Sequence, residues 1–171
     1  MSKELTIQEF SQSNQDGVLN LILHIQQVEY DVPITKDDQP DLLDIPGVYQ
    51  QGIGNFWIAL VEGVVVGTIA LLDIGRGNLA LRKMFVAQEY RGSKWNTGAL
   101  LLKHAVNWAE SKNIENIYLG TTLQFKAAHR FYEKNNFKEI SEEALPTEFP
   151  IMPVDKKFYH LSIGVSRRHS S

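Results

Sequence analysis

The spacing of apolar residues changes period several times along the chain. Leu5 to Phe10 read as a short strand, and Val18, Leu21, Ile22, Ile25 and Val28 then recur at the three-and-four spacing of one helical face. A second, shorter helical region is predicted near Asp41 to Tyr49, with Pro40 acceptable in its first turn and Pro46 breaking or kinking it. The period then shortens in NFWIALVEGVVVGTIALLDIGRGNLALRKMFV, Asn55 to Val86. This stretch divides into three antiparallel strands at a tight turn of Glu62 and Gly63 and a looser one over Gly75 to Asn78.

Beyond the meander, Leu101, Leu102, Ala105, Trp108 and Ala109 line one side of a helix expected from Gly98 to Lys112. NIYLGT follows as a buried strand and QFKAAHRFYEKN as another helix. Asn135 and Asn136 end that helix, the second suited to the left-handed conformation of a C-terminal cap. Strands are expected at Phe137 to Ile140 and, after the proline-punctuated LPTEFPIMPVD, at KKFYHLSI. The strand-helix-strand unit from Leu79 to Gly120 needs a parallel crossover, whereas the meander before it is antiparallel. The fold class that satisfies both is α/β, or equally α+β: a mixed sheet flanked by helices.

At 171 residues the chain has room for one sizeable core, so a single domain spanning 1–171 is expected. A functional site then lies within that fold or at an interface between two copies, which leaves a homodimer open. The basic SRRHSS end reads as a frayed tail from about residue 165. A 43% hydrophobic and 22% charged composition is that of a globular protein, and no apolar run approaches the roughly 20 residues that cross a bilayer. MSKELTIQEF lacks the apolar centre of a secretory signal, and the absence of cysteine excludes disulfides and a thiol nucleophile. A cytoplasmic protein without a membrane partner is the expectation. A net charge of −3 gives no reason to expect nucleic acid. The five histidines show no HxxxH or HExxH spacing, so no metal is expected.

YRGSKWNTGALLLKHA, Tyr90 to Ala105, passes from a loop into an amphipathic helix. The first helical turn has amides without intrahelical acceptors, and with the positive helix end and the neighbouring Arg91 and Lys94 it can attract a pyrophosphate. Neither GxxxxGK[ST] nor GxGxxG occurs.

MFVAQEYRG, then GALLLKHA, then IYLGTT, then AAHRFYEKNNF, in that order, resemble the GNAT superfamily of acetyl-CoA-dependent N-acetyltransferases over about residues 55–140. The resemblance implies a mixed, mostly antiparallel sheet with a splayed central pair of parallel strands, and acetyl-CoA as cosubstrate. It implies main-chain contacts to pantetheine from Met84, Phe85 and Val86, and to pyrophosphate from Arg91, Gly92, Ser93, Lys94, Trp95, Asn96, Thr97 and Gly98. The family loop reads R/Q-x-x-G-x-G/A. Here a loop one residue longer places Asn96 and Gly98 at the glycine positions, and Asn is the best substitute where positive φ is required.

Tyr132 in FYEKNNF stands where the family often places the acid that protonates the departing thiolate. Ordinary thiols and phenols, at about 8.5 and about 10, are close enough for that transfer. An alternative reading packs Tyr132 with Ala128 and Phe131 in the core. Phe125 replaces a family Asn at the start of this helix. Many relatives carry a glutamate base on the strand before the loop, but no carboxylate falls between Asp73 and Glu89, and Arg82 and Lys83 stand there instead. The base is then Glu29, Asp31 or water. The expected activity is acetyl transfer to a primary amine, small-molecule or peptide, by direct attack. The rivals are a non-catalytic acyl-CoA-binding module and an interaction domain retaining the fold.

Overall fold

The structure is a computed structural model and describes residues 3–163; the expected frayed tail lies outside the described residues. Two compact units divide the chain. One holds the residues up to Leu72 together with Arg82–Trp108, the other Asp73–Leu81 together with the residues from Ala109.

The first unit opens with β1 (Leu5–Glu9), which pairs antiparallel with β2 (Asn55–Val61) in a register that sets Leu5 opposite Val61. β2 in turn pairs antiparallel with β3 (Val64–Gly75). The turn between them places Glu62 at φ 50° and Gly63 at φ 77°. Two successive left-handed residues make the turn whose twist matches that of the strands it joins. α1 (Gln15–His24) buries Val18, Leu21 and Ile22, continues through a π-helical turn over Ile25–Glu29, and packs in one core with Phe10, Ile45, Tyr49, Phe56 and Ile58. Each such side chain contributes about 1.5–3 kcal/mol through burial. Val28 does not join that face: it is 66% exposed. The π turn adds a residue to the helical repeat and rotates Val28 off the stripe that the α-helical spacing predicts.

The expected helix between Asp41 and Tyr49 is two pieces, a 3-10 turn over Pro40–Leu43 and α2 (Ile45–Val48), with Asp44 capping α2 by accepting from the Gly47 amide. Pro40 and Pro46 each sit in the first turn of a piece, where a missing N–H costs little.

In the second unit the start of β4 (Asn78–Val86) pairs parallel with β5 (Asn116–Thr121), joined through α3 (Thr97–Ser111). β5 and β6 (Lys138–Ile140) each pair antiparallel with β7 (Lys157–Ser162). α4 (Lys126–Lys134) ends with Asn136 at φ 74°, and the Phe137 amide reaches back to the Tyr132 carbonyl at 3.0 Å. That is the left-handed cap expected from sequence. The hydrogen-bonded strand order is β1-β2-β3-β4-β5-β7-β6, a mixed, mostly antiparallel sheet of seven strands among the described residues.

Candidate active site

β4 changes character along its length. Its pairing with β5 covers Asn78, Leu79 and Ala80 against Asn116, Ile117 and Tyr118 and goes no further. From Arg82 onward the strand is half-buried, and Lys83 takes φ 54°, a left-handed residue inside a strand. The fully buried Thr68 on β3 holds that conformation by donating its Oγ1 proton to the Lys83 carbonyl at 2.7 Å. Such an irregularity breaks the ladder and re-aims the next residues of the strand. Those residues are Met84, Phe85 and Val86, and their main-chain groups are not committed to β5. Phe85 packs against the first unit's core, and the Val86 carbonyl accepts a hydrogen bond from Arg91 Nε at 2.8 Å.

The loop from Arg91 to Gly98 turns on two left-handed residues, Gly92 at φ 91° and Asn96 at φ 56°, and the Asn96 amide donates to the Gly92 carbonyl at 2.9 Å. Asn96 thus adopts the conformation for which glycine is otherwise needed. Trp95 braces the loop edge-to-face against Tyr90, with centroids 4.9 Å apart, while Ser93 and Lys94 are exposed. The Leu100 amide donates to the Asn96 carbonyl at 3.0 Å and starts the α3 ladder. The Thr97, Gly98 and Ala99 amides therefore precede any intrahelical acceptor. Gly98 is not left-handed; what it leaves there is an amide without a side chain.

Three further features of the same helix start suit an anion. No acidic residue lies in its first turn, so no carboxylate competes for the helix end. Among the described residues Thr97 Oγ1 is buried without a hydrogen-bond partner. A Cβ placed on Gly67 of β3 would stand 2.9 Å from Leu101 Cδ1 and 3.2 Å from Thr97 Cγ2, so β3 lies directly under this first turn. The residues present fit the pyrophosphate of coenzyme A.

The Arg91 guanidinium is engaged elsewhere. It makes a two-pronged ion pair with Glu29 on the π turn, 2.8 Å from Nη1 to Oε1 and 2.9 Å from Nη2 to Oε2. Arg91 thereby ties the start of the loop to the π turn and to the end of β4. Glu29, one of the bases weighed from sequence, has both oxygens on Arg91, and Asp31 is exposed with φ 52°. A cleft of about 420 Å³ runs beside them, lined by His24, Ile25, Glu29, Ala87, Gln88 and Glu89.

A polar cluster that sequence reasoning missed covers the Lys83 side chain. Lys83 Nζ lies 3.3 Å from Asp41 Oδ2 and donates to Gln39 Oε1 at 2.9 Å. Asp41 also accepts from the Tyr49 hydroxyl, and Gln39 pairs with Gln26. Burial lowers the Lys83 ammonium below its ordinary pKa against the opposing pull of Asp41, and burial also pushes the Tyr49 phenol upward. The carboxylate absent from β4 is thus supplied by the 3-10 turn, from 42 positions earlier in the chain, and it neutralises Lys83.

Tyr132 lies in the second unit, nearly buried on α4, its ring packed on Phe131, Phe137 and Tyr159 with centroids 5.7, 5.5 and 5.9 Å away. Its hydroxyl makes no hydrogen bond among the described residues. Burial pushes its pKa upward, which keeps the phenol protonated but makes it a weaker acid than an ordinary tyrosine and widens its gap to a thiol. Among the described residues no group of three or more His, Cys, Asp or Glu could hold a metal, and no helix is long and apolar enough to cross a membrane.

Known proteins share this outline. A solved acetyltransferase of the GNAT family from Staphylococcus aureus Mu50 is 37% identical and superposes with a TM-score of 0.88 over 93% of this chain and 99% of that one. An acetyltransferase from Streptococcus agalactiae 2603 is 30% identical, with a TM-score of 0.88 over 93% and 98%. Among curated proteins, N-acetylaspartate synthetase of Danio rerio is 33% identical over 104 residues, 60% of this chain and 36% of that protein. The chain spans about a third to a half of the length of the curated relatives it matches. The profile of the acetyltransferase (GNAT) family matches residues 19–137, from α1 through the end of α4, and the chain belongs to that family.

Proposed function

We propose that the protein transfers acetyl from acetyl-CoA to a primary amine. The observation that carries this reading is the start of α3: free amides, left-handed Asn96 and the buried Thr97 hydroxyl with no partner among the described residues, at the end of the loop that follows a strand end not committed to β5. The Thr97, Gly98 and Ala99 amides hold the pyrophosphate, with Lys94 adding charge from the exposed side of the loop. Main-chain groups of Met84, Phe85 and Val86 hold the pantetheine arm, and amides there polarise the acyl carbonyl as the amine approaches. Bound acetyl-CoA supplies an acyl group activated as a thioester.

The acceptor's neutral amine forms the C–N bond as the C–S bond breaks, Tyr132 gives its hydroxyl proton to the departing thiolate, and the proton lost from the new amide nitrogen passes through water and restores the phenol. At neutral pH only about one lysine-like amine in a few thousand is uncharged, so a proton must leave the acceptor before attack. The engagement of Glu29 by Arg91 favours water as its route. The test is a screen of amine acceptors with thiol release as readout. Transfer to at least one amine is expected; tight acetyl-CoA binding with no turnover across a broad panel would make the protein an acyl-CoA-binding module instead.

A further inference from the structure

Two adjacent cations stand on β4 just before the proposed pantetheine-binding residues, and the structure treats them differently. Lys83 is closed off: its side chain is 10% exposed, and its charge meets Asp41, itself held by Tyr49. Arg82 is half-buried, and among the described residues its guanidinium has neither an ion pair nor a hydrogen bond. Its positive charge acts on both the Lys83 ammonium and the Tyr49 phenol, so it stands close to the same cluster. In a regular strand neighbouring side chains point to opposite faces. The left-handed Lys83 breaks that alternation, which accounts for both cations acting on one cluster.

The charge balance of the cluster is one carboxylate, Asp41, against two cations, Arg82 and Lys83. One positive charge is left over. The Arg82 nitrogens are not among the buried, unsatisfied side-chain atoms, so the guanidinium is open to a ligand from solvent, and its planar fork is shaped for a two-pronged bond to a carboxylate. A surplus of one charge matches a monoanionic carboxylate better than a phosphate dianion.

Resting on the acetyltransferase reading above, we propose that the acceptor is an amine that also bears a carboxylate, and that Arg82 binds this carboxylate. The neutralised Lys83 backs the site without competing for the anion, and Asp41 keeps the Lys83 side chain in place. Arg82 is then a specificity-determining residue: it selects amino acids over simple amines and sets the reacting nitrogen beside the strand end that holds the thioester.

The test uses the whole chain and a panel of α- and ω-amino acids, each paired with its neutral amide at matched free-amine concentration. Thiol release is followed for wild type, Arg82→Gln and Arg82→Lys, with acetyl-CoA affinity measured calorimetrically on all three. Wild type is expected to favour the carboxylate member of its best pair by about 10- to 100-fold in kcat/KM, the range of a charge-assisted hydrogen-bonded contact. Arg82→Gln removes that preference through KM, Arg82→Lys restores part of it, and acetyl-CoA affinity stays within about twofold. Equal use of acids and amides by wild type, or a preference that survives Arg82→Gln, overturns the carboxylate site and leaves the acetyltransferase reading standing. Absence of acetyl-CoA binding by wild type overturns that underlying reading and the carboxylate site with it.

Discussion

The two halves of β4 do different work. Asn78 to Leu81 is regular strand with its apolar residues buried, and Asn78 to Ala80 pair in register with β5. Arg82 to Val86 is half-buried, carries a left-handed residue and two cations, and has no register with β5. In the first half the backbone's hydrogen-bonding groups are used up in making the sheet. In the second the pairing with β5 stops, although the Lys83 and Val86 carbonyls still accept from Thr68 and Arg91, and the buried Lys83 charge is tolerated because a neighbouring turn supplies Asp41. One strand thus passes from paired sheet to a segment with no partner on β5 within a few residues, and the change is marked by Lys83.

If the second half of β4 and its loop only hold the cofactor, the proton for the thiolate comes from elsewhere, and Tyr132→Phe should expose this most strongly. Turnover is expected to fall by about 10² to 10⁴, the range of general acid catalysis, with acetyl-CoA affinity unchanged. Unchanged turnover would return Tyr132 to the core; parallel loss of binding and turnover would make its hydroxyl a cofactor contact.

The comparison itself is sharpened by substituting one residue in each half. Leu79→Ala empties a fully buried position and should cost about 2–5 kcal/mol in denaturant unfolding while leaving acetyl-CoA affinity in the folded protein as it was. Lys83→Met strands Asp41 and should cost about 3 kcal/mol, with Asp41→Asn in the same chain recovering part of the loss. Additive effects of the two changes would contradict the pairing. At the loop, Gly98→Pro deletes one amide donor and should weaken coenzyme A about 10- to 100-fold while sparing a pantetheine fragment that lacks phosphates. Equal loss for both would move the pyrophosphate away from α3.

The smallest effect is on pH dependence. The Tyr49 and Tyr132 phenols are raised by burial above their ordinary value of about 10. Above that pH the unfolded chain releases protons that the native chain keeps, so stability falls as pH rises, by up to about 1.4 kcal/mol per pH unit for each group. Tyr49→Phe should flatten the alkaline limb in denaturant titrations; an unaltered limb would mean that its phenol ionises as freely in the native state.

What the sequence made legible was local. The Glu62-Gly63 turn, the Asn136 cap and the left-handed Asn96 each arise from conformations that those residues tolerate better than others, so short-range chemistry sufficed. Val28 misled because a π turn has no signature in apolar spacing. The left-handed Lys83 was hidden because its support, the Thr68 hydroxyl, comes from another strand. The pairs Glu29–Arg91 and Asp41–Lys83 join residues far apart in sequence, 62 positions in the first case. Charge at each position was visible, but the partner is chosen by the folded chain. The family pattern pointed to the loop and to Tyr132, whereas the Arg82 surplus needed the geometry that neutralises its neighbour.

The central claim is that the far half of β4 and the start of α3 form a coenzyme A site. Thermal unfolding of the wild-type chain against increasing acetyl-CoA tests it most directly, because a ligand that binds only the native state stabilises it by mass action. At a hundredfold excess over the dissociation constant the account predicts about 2.7 kcal/mol of added stability and a melting temperature that keeps rising with ligand concentration. A melting temperature unmoved by millimolar acetyl-CoA would contradict it.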